Sequence, residues 1–327
     1  MKHRPKMSSA PSPVLSCRPA HHSRRRMLQA TLVATAAMVA TRARGAASAP
    51  APALAPAPAP RIVASFSILA DITRALAPAG AEVSSLVGPD ADAHVFEPTP
   101  SAARRVAQAD LVVINGLGFE GWIERLIKIS GFQGPLVVAS QGITPRRAGR
   151  GIDPHAWQDL GLTRRYVATL SAALSRRWPA AQDELAQRWQ EYLQRISLLE
   201  AQVRQQLGQI PRAQRRVVSS HDAFGYFADA YGVDFFAPQG WNTDSEPSAA
   251  AVARLVRQIR QQQLRAVFVE NISAARLVQQ IAHEGGAVVG GRLYSDALSA
   301  PGGAADSYLK MFAHNARVLT EALLAPR

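Results

Sequence analysis

The sequence predicts an α/β fold of two lobes, each with a central, mostly parallel sheet, joined by one long helix. Three observations carry this expectation. From Arg61 onward, short apolar runs bounded by Gly or Pro alternate with segments of helical period. The same alternation resumes beyond Pro211, and the stretch between, residues 163 to 209, holds no strand signal. Strict alternation of this kind places parallel strands under helices on both faces. The 327 residues suffice for one large or two medium domains with a substantial core.

In "RIVASFSILADITRALA" an apolar strand passes into a helix whose face carries Ile68, Ile72 and Leu76. "AEVSSLVG" reads as a second strand, "PSAARRVAQA" as a helix, "DLVVING" as a third strand, "EGWIERLIK" as a helix and "PLVVAS" as a fourth strand. Beyond Pro179, Leu185, Trp189, Leu193, Ile196, Leu199 and Val203 repeat at helical spacing. A helix over residues 181–209 would run about 40 Å at 1.5 Å per residue, long enough to connect two lobes. The second half reads "RVVSS", "VDFFAPQG", "AVFVEN" and "AVVGGRLY" as strands. Helices are expected over "PSAAAVARLVRQIRQQQ", capped at Ser245 or Ser248, and over "AARLVQQIAHEG" and "DSYLKMFAHNARVLTEALL". The expected lobes are residues 61–180 and 210–327, with a ligand cleft between them.

Residues 1–60 hold nine of the thirteen net positive charges and no acid, so the folded part carries only about +4. That removes the case for nucleic acid as a partner. "SRRRMLQATLVATAAMVATRARGAASA" sets an arginine cluster before a modest apolar run and small residues, as an export signal does. The order Ser23-Arg24-Arg25-Arg26-Met27-Leu28 is similar to the twin-arginine export pattern. An export signal over 1–49, cleaved near Ala47 to Ala49, and an Ala/Pro tether over 50–60 are expected, which places the chain in the periplasm. Cys17, the single cysteine, precedes the apolar run, so the exported protein would hold neither disulfides nor thiolate ligands.

Five histidines lie beyond the signal. His283 and His314 fall inside helical patterns. His94, His155 and His221 each fall in a loop after a strand-like run, where open α/β sheets collect ligands. One such loop histidine is ordinarily structural. Three together suit zinc or a similar divalent ion, because neutral imidazole is the commonest metal ligand. Asp296, after "AVVGGRLY", is the best fourth donor, with Glu270, Asp222, Asp92 and Glu97 as alternatives or as partners that orient the rings. Trp122, Trp157, Phe224 and Tyr226 are expected to wall the cleft and keep it dry.

"SFSILADITRAL", "LVGPDADAHVFEPTPS", "ADLVVINGLGFEGWIERL", "DPHAWQD", "SSHDAFGYFADAYGV", "AVFVEN" and "LYSDALS" resemble, in this order, the periplasmic metal-binding receptors of zinc and manganese ABC importers. The resemblance covers the chain from about Arg61 to Leu324. It implies two α/β lobes bridged by a rigid helix and one divalent ion buried between them. The implied ligands are His94 and His155 from the first lobe and His221 and Asp296 from the second. It also implies delivery of the ion to an inner-membrane ABC permease by a receptor expected to act as a monomer. Manganese-selective relatives often have glutamate where this chain has His221. Many zinc receptors carry a long His- and acid-rich loop before the second histidine, whereas here "QGITPRRAGRGID" is short and basic.

Three imidazoles and one carboxylate favour Zn²⁺ over the oxygen-favouring Mn²⁺, which stays the alternative cargo. The rival from another class, a secreted zinc hydrolase, has less support. Catalytic zinc keeps a position open for water, four protein donors close the shell, and no HExxH or GxSxG motif is present. Protonation of the imidazoles is expected to weaken metal capture below roughly pH 6.

Overall fold

The computed structural model describes residues 58–149 and 151–326. The expected export signal, Cys17 and most of the tether lie outside these residues.

The first lobe is built on strands β1 (Arg61–Phe66), β2 (Glu82–Val87), β3 (Leu111–Ile114) and β4 (Leu136–Val138), ordered β2-β1-β3-β4. All three pairings are parallel. Between the strands run α1 (Ser67–Leu76), α2 (Pro100–Ala107) and α3 (Ile123–Ser130). The four residues of β3 are all buried, as expected for a strand covered on both faces. Helix α2 begins where the sequence stops it from beginning earlier: Thr99 accepts from the Ala102 N–H, and Pro100 occupies the first turn, where no N–H is needed.

The segment expected as a short basic loop is instead an antiparallel hairpin of β5 (Arg146–Ala148) and β6 (Gly151–Asp153). Its strands are three residues each, Arg-Arg-Ala and Gly-Ile-Asp, too short for any alternation to announce them. A short 3₁₀ turn over Ala156–Gln158 then leads into α4 (Leu160–Arg177), and α5 (Gln182–Gly208) follows. Helix α5 has 27 residues, and its face of Leu185, Tyr192, Ile196, Leu199, Val203 and Leu207 is buried. It packs on α1 and α4 of the first lobe and on the last helix of the second.

The second lobe repeats the plan. Strands β7 (Arg216–Val218), β8 (Asp234–Phe236), β9 (Ala266–Glu270) and β10 (Val288–Leu293) form a parallel sheet ordered β10-β9-β7-β8. Helices α6 (Gly225–Tyr231), α7 (Ala249–Gln262), α8 (Ala275–Gly285) and α9 (Tyr308–Leu324) flank it. Of the two expected caps it is Ser248 that starts α7, accepting from the Ala251 N–H. Among the described residues, no helix is long and apolar enough to cross a membrane.

One apolar core runs from the first sheet through α4, α5 and α9 to Val217, Ala266, Phe268 and Leu293 of the second sheet. A smaller core, with Leu255, Ile259, Val267 and Ile281, sits under α7 and α8. The lobes therefore share packing as well as a helix. Buried hydrogen bonds add to it: the Leu298 N–H donates to Ser67 Oγ at 3.0 Å, and Gln158 Nε2 donates to the Ser295 carbonyl at 2.8 Å.

Candidate metal centre

The four side chains singled out by sequence meet at one point, and each comes from the carboxyl end of a strand. His94 follows β2, His155 follows β4 and the hairpin, His221 follows β7, and Asp296 follows β10. One donor atom from each lies within 4.8 Å of the others. His155, His221 and Asp296 are fully buried and His94 nearly so. In the second sheet the order changes direction between β7 and β9. His221 and Glu270 sit on the two sides of that crevice, where α/β sheets place ligands.

The donor atoms inside the cluster crowd one another. Nε2 of His94 and Nε2 of His155 face each other at 3.3 Å. Two ring nitrogens can do this only with a proton or an ion between them. Asp296 Oδ2 lies 3.3 Å from His94 Nε2 and 3.2 Å from His221 Nε2, and Oδ1 lies 3.5 Å from His155 Nε2. No hydrogen bond satisfies either Asp296 oxygen or Nε2 of His221. A fully buried carboxylate without hydrogen bonds costs several kcal/mol, a cost that a cation among these donors would offset.

Two of the three rings have a carboxylate behind them. Asp153 Oδ1 takes a 2.8 Å hydrogen bond from Nδ1 of His155 and a 3.0 Å bond from its backbone N–H. This fixes Nε2 as the nitrogen that faces the other donors. Glu270 stands behind His221 by charge rather than by an aligned hydrogen bond: its Oε2 is 2.7 Å from Nδ1, while Oε1 accepts from the Ser220 and His221 N–H groups at 2.7 and 2.9 Å. For His94 the backbone is held. Asp92 Oδ1 accepts its N–H at 2.8 Å, and Trp122 donates to the Ala93 carbonyl at 2.7 Å.

Glu270 and Asp92, both weighed as donors, thus stand outside the cluster, and so do Asp222 and Glu97. Asp153 was missed. The sign of it was local, an acid two residues before a histidine with proline between them, a spacing that turns the carboxylate back onto the ring. His283 and His314 lie in α8 and α9, as expected.

Aromatic rings close the site on the first-lobe side. Phe119 meets His94 edge-on with ring centres 4.6 Å apart, and Trp157 stands 5.2 Å from the His155 ring. Trp157 also donates from Nε1 to the Ser295 carbonyl, one residue before Asp296. Phe224 behaves differently, stacking on Phe235 at 4.7 Å within the second lobe.

Charge couples the donors strongly. Burial opposes protonation of His155, but the Asp296 carboxylate and the bond to Asp153 outweigh it, pushing the pKa up to about 9. Burial likewise opposes a charged His221, and Glu270 with Asp296 overcomes it, holding the pKa well above the ordinary histidine range. Burial would raise the Asp296 pKa, yet His155 and His221 hold it well below the usual carboxylate range. Without an ion, protons on these rings balance the buried acids.

A family model described as zinc-uptake complex component A, periplasmic, matches residues 62–322. The zinc-binding protein TroA of Treponema pallidum is 33% identical over 277 residues, covering 81% of this chain and 89% of TroA. The manganese-binding lipoprotein MntA of Halalkalibacterium halodurans is 32% identical over 256 residues, 78% of this chain and 85% of MntA. The iron-binding protein YfeA of Yersinia pestis is 31% identical over 256 residues, 77% and 82% of the two chains. The solved structure of the Treponema pallidum periplasmic zinc-binding protein TroA matches with a TM-score of 0.79 at 30% identity, over 82% of this chain and all of that one.

Proposed function

The chain belongs to the family of the periplasmic A component of zinc-uptake complexes, and from that premise we propose that it captures Zn²⁺ with His94, His155, His221 and Asp296 and hands it to a membrane permease. It is the extracytoplasmic substrate-binding component of a metal ABC importer. Its relatives are named as metal-binding receptors, and nothing in the comparisons supports the hydrolase alternative. The ion is cargo, so the site has to bind it selectively and let it go.

The observation that carries the reading is the donor set: three nitrogens and one carboxylate converging within 4.8 Å, all buried, with neither carboxylate oxygen hydrogen-bonded. Nitrogen-rich, four-fold coordination is zinc's preference, and zinc stands above manganese in intrinsic affinity. Mn²⁺ is the second reading because both Asp296 oxygens lie within 3.5 Å of a histidine Nε2. A carboxylate that uses both oxygens would give five donors and a shell that admits an oxygen-favouring ion. Export through the twin-arginine route belongs to the same reading. N-terminal sequencing of the exported form checks the cleavage near Ala47 to Ala49.

The deciding experiment strips the exported protein of metal, offers equimolar Zn²⁺ and Mn²⁺, and measures bound metal by elemental mass spectrometry. Zinc at one ion per chain is expected. Predominant manganese overturns the choice of cargo, and neither metal overturns the site.

A further inference from the structure

The hairpin β5–β6 supplies no donor, yet it reaches across to the other lobe. Arg146 and Asp153 oppose each other on its two strands. From Arg146, the backbone N–H donates to the Tyr226 hydroxyl at 2.8 Å, Nε donates to Asp229 Oδ2 at 2.9 Å, and Nη1 donates to Asp153 Oδ2 at 3.3 Å. Tyr226 and Asp229 lie one turn apart on α6 of the second lobe, and the Tyr226 hydroxyl donates in turn to the Asp153 carbonyl at 3.2 Å. Asp153 spends its other oxygen on His155 Nδ1. One guanidinium therefore touches the carboxylate behind a first-lobe donor and an acid of the second lobe at once.

Two glycines make room for this crossing. A Cβ on Gly225, at the start of α6, would overlap the Arg146 guanidinium and the Asp153 carboxylate. A Cβ on Gly151, in β6, would lie 2.7 Å from Nε1 of Trp241 in the second lobe. Close backbone approach at both contacts is open only to a residue without a side chain.

We propose that Arg146 is a positioning residue that couples the orientation of His155 to closure of the two lobes, and so slows release of the ion. The inference rests on His155 being a ligand. An ion held by two donors from each lobe leaves only when the lobes separate, and separation carries α6 away from the hairpin. Either the Asp229 contact then breaks or Asp153 is drawn off the back of His155. Arginine suits the task because its planar fork engages two carboxylates in fixed directions, which a lysine ammonium does not.

The test follows release of Zn²⁺ into excess chelator by stopped flow, and the d–d absorption of the Co²⁺-loaded protein, in the exported chain and in D229N, R146K and R146A. The Arg146–Asp229 contact is exposed on the Asp229 side, so D229N is expected to release zinc only about two- to fivefold faster. Its Co²⁺ band should match the unmodified protein, since the Asp153 contact remains. R146A should release roughly 10- to 100-fold faster, the range for losing an outer partner of a metal ligand, with a shifted Co²⁺ band. R146K should fall between. Unchanged release in R146A and D229N overturns the coupling, and so does a lowered melting temperature with both readouts unmoved. An unchanged Co²⁺ band in R146A overturns the positioning of His155. Should R146A fail to fold, D229N and R146K carry the test. Failure of the unmodified chain to take up Zn²⁺ or Co²⁺ would instead overturn the site assignment, and this inference with it.

Discussion

Among single residues, the carboxylates decide how the site responds to pH. His155 has a pKa of about 9 in the metal-free protein, where a free imidazole would titrate near 6.5. The proton on the ring must leave before a metal can bind. Apparent zinc affinity is therefore expected to fall as pH drops through about 9, well above the pH of about 6 that an unperturbed histidine would set. Titrations against a competing chelator from pH 6 to 10 check this, and a flat affinity down to pH 7 would contradict it. Stability of the metal-free protein runs the other way. A histidine whose pKa is raised on folding contributes stability that is fully present below about pH 6.5 and lost as pH rises through 9. Melting temperatures of the metal-free chain should fall across that window. Glu270 offers a second check at this scale. Glu270→Gln keeps the shape and removes the charge beside His221 Nδ1, and zinc affinity should drop by roughly 10- to 100-fold in the same competition assay.

At the scale of the element, α5 shows how much weight one helix bears. Its apolar positions face α1, α4 and α9 together, and Ile196 at its middle is completely buried. Ile196→Ala should destabilise the protein by about 2–5 kcal/mol, as deletions that leave a core cavity do. Urea unfolding measures it, and a loss below about 1 kcal/mol would mean that this face is not shared core. The hairpin teaches the opposite lesson about legibility. Helix α5 was readable because apolar residues at helical spacing have no other explanation over 27 positions. The strands β5 and β6 were not, because strands of three residues have no period to read. They exist through contacts with α6, which sequence order places some eighty residues away.

For the whole molecule, shared packing governs motion. A core continuous from the first sheet to the second, together with a helix along both lobes, leaves no soft hinge of the kind that a bare linker would give. Metal binding should then close the lobes locally, with radii of gyration of the free and loaded forms agreeing within about 1 Å by solution scattering, as for preorganised partners. A change of several ångströms would show that the shared core parts on release. The same packing sets the candidate site deep: the lobe interface is formed without an ion, and four potential donors already converge in it.

The sequence by itself determined the alternation of strands and helices, the long helix, and the four side chains that gather at the centre. Each of these is a local signal, whether a period, a cap, or a histidine placed after a strand and a Gly/Pro loop. Tertiary structure alone decided the supporting cast: Asp153 behind His155, Glu270 as an orienting group outside the donor set, and Arg146 joining the first lobe to the second. These roles depend on which oxygen faces which nitrogen across elements distant in sequence. Direction and distance of that kind are set by packing, and no spacing along the chain encodes them.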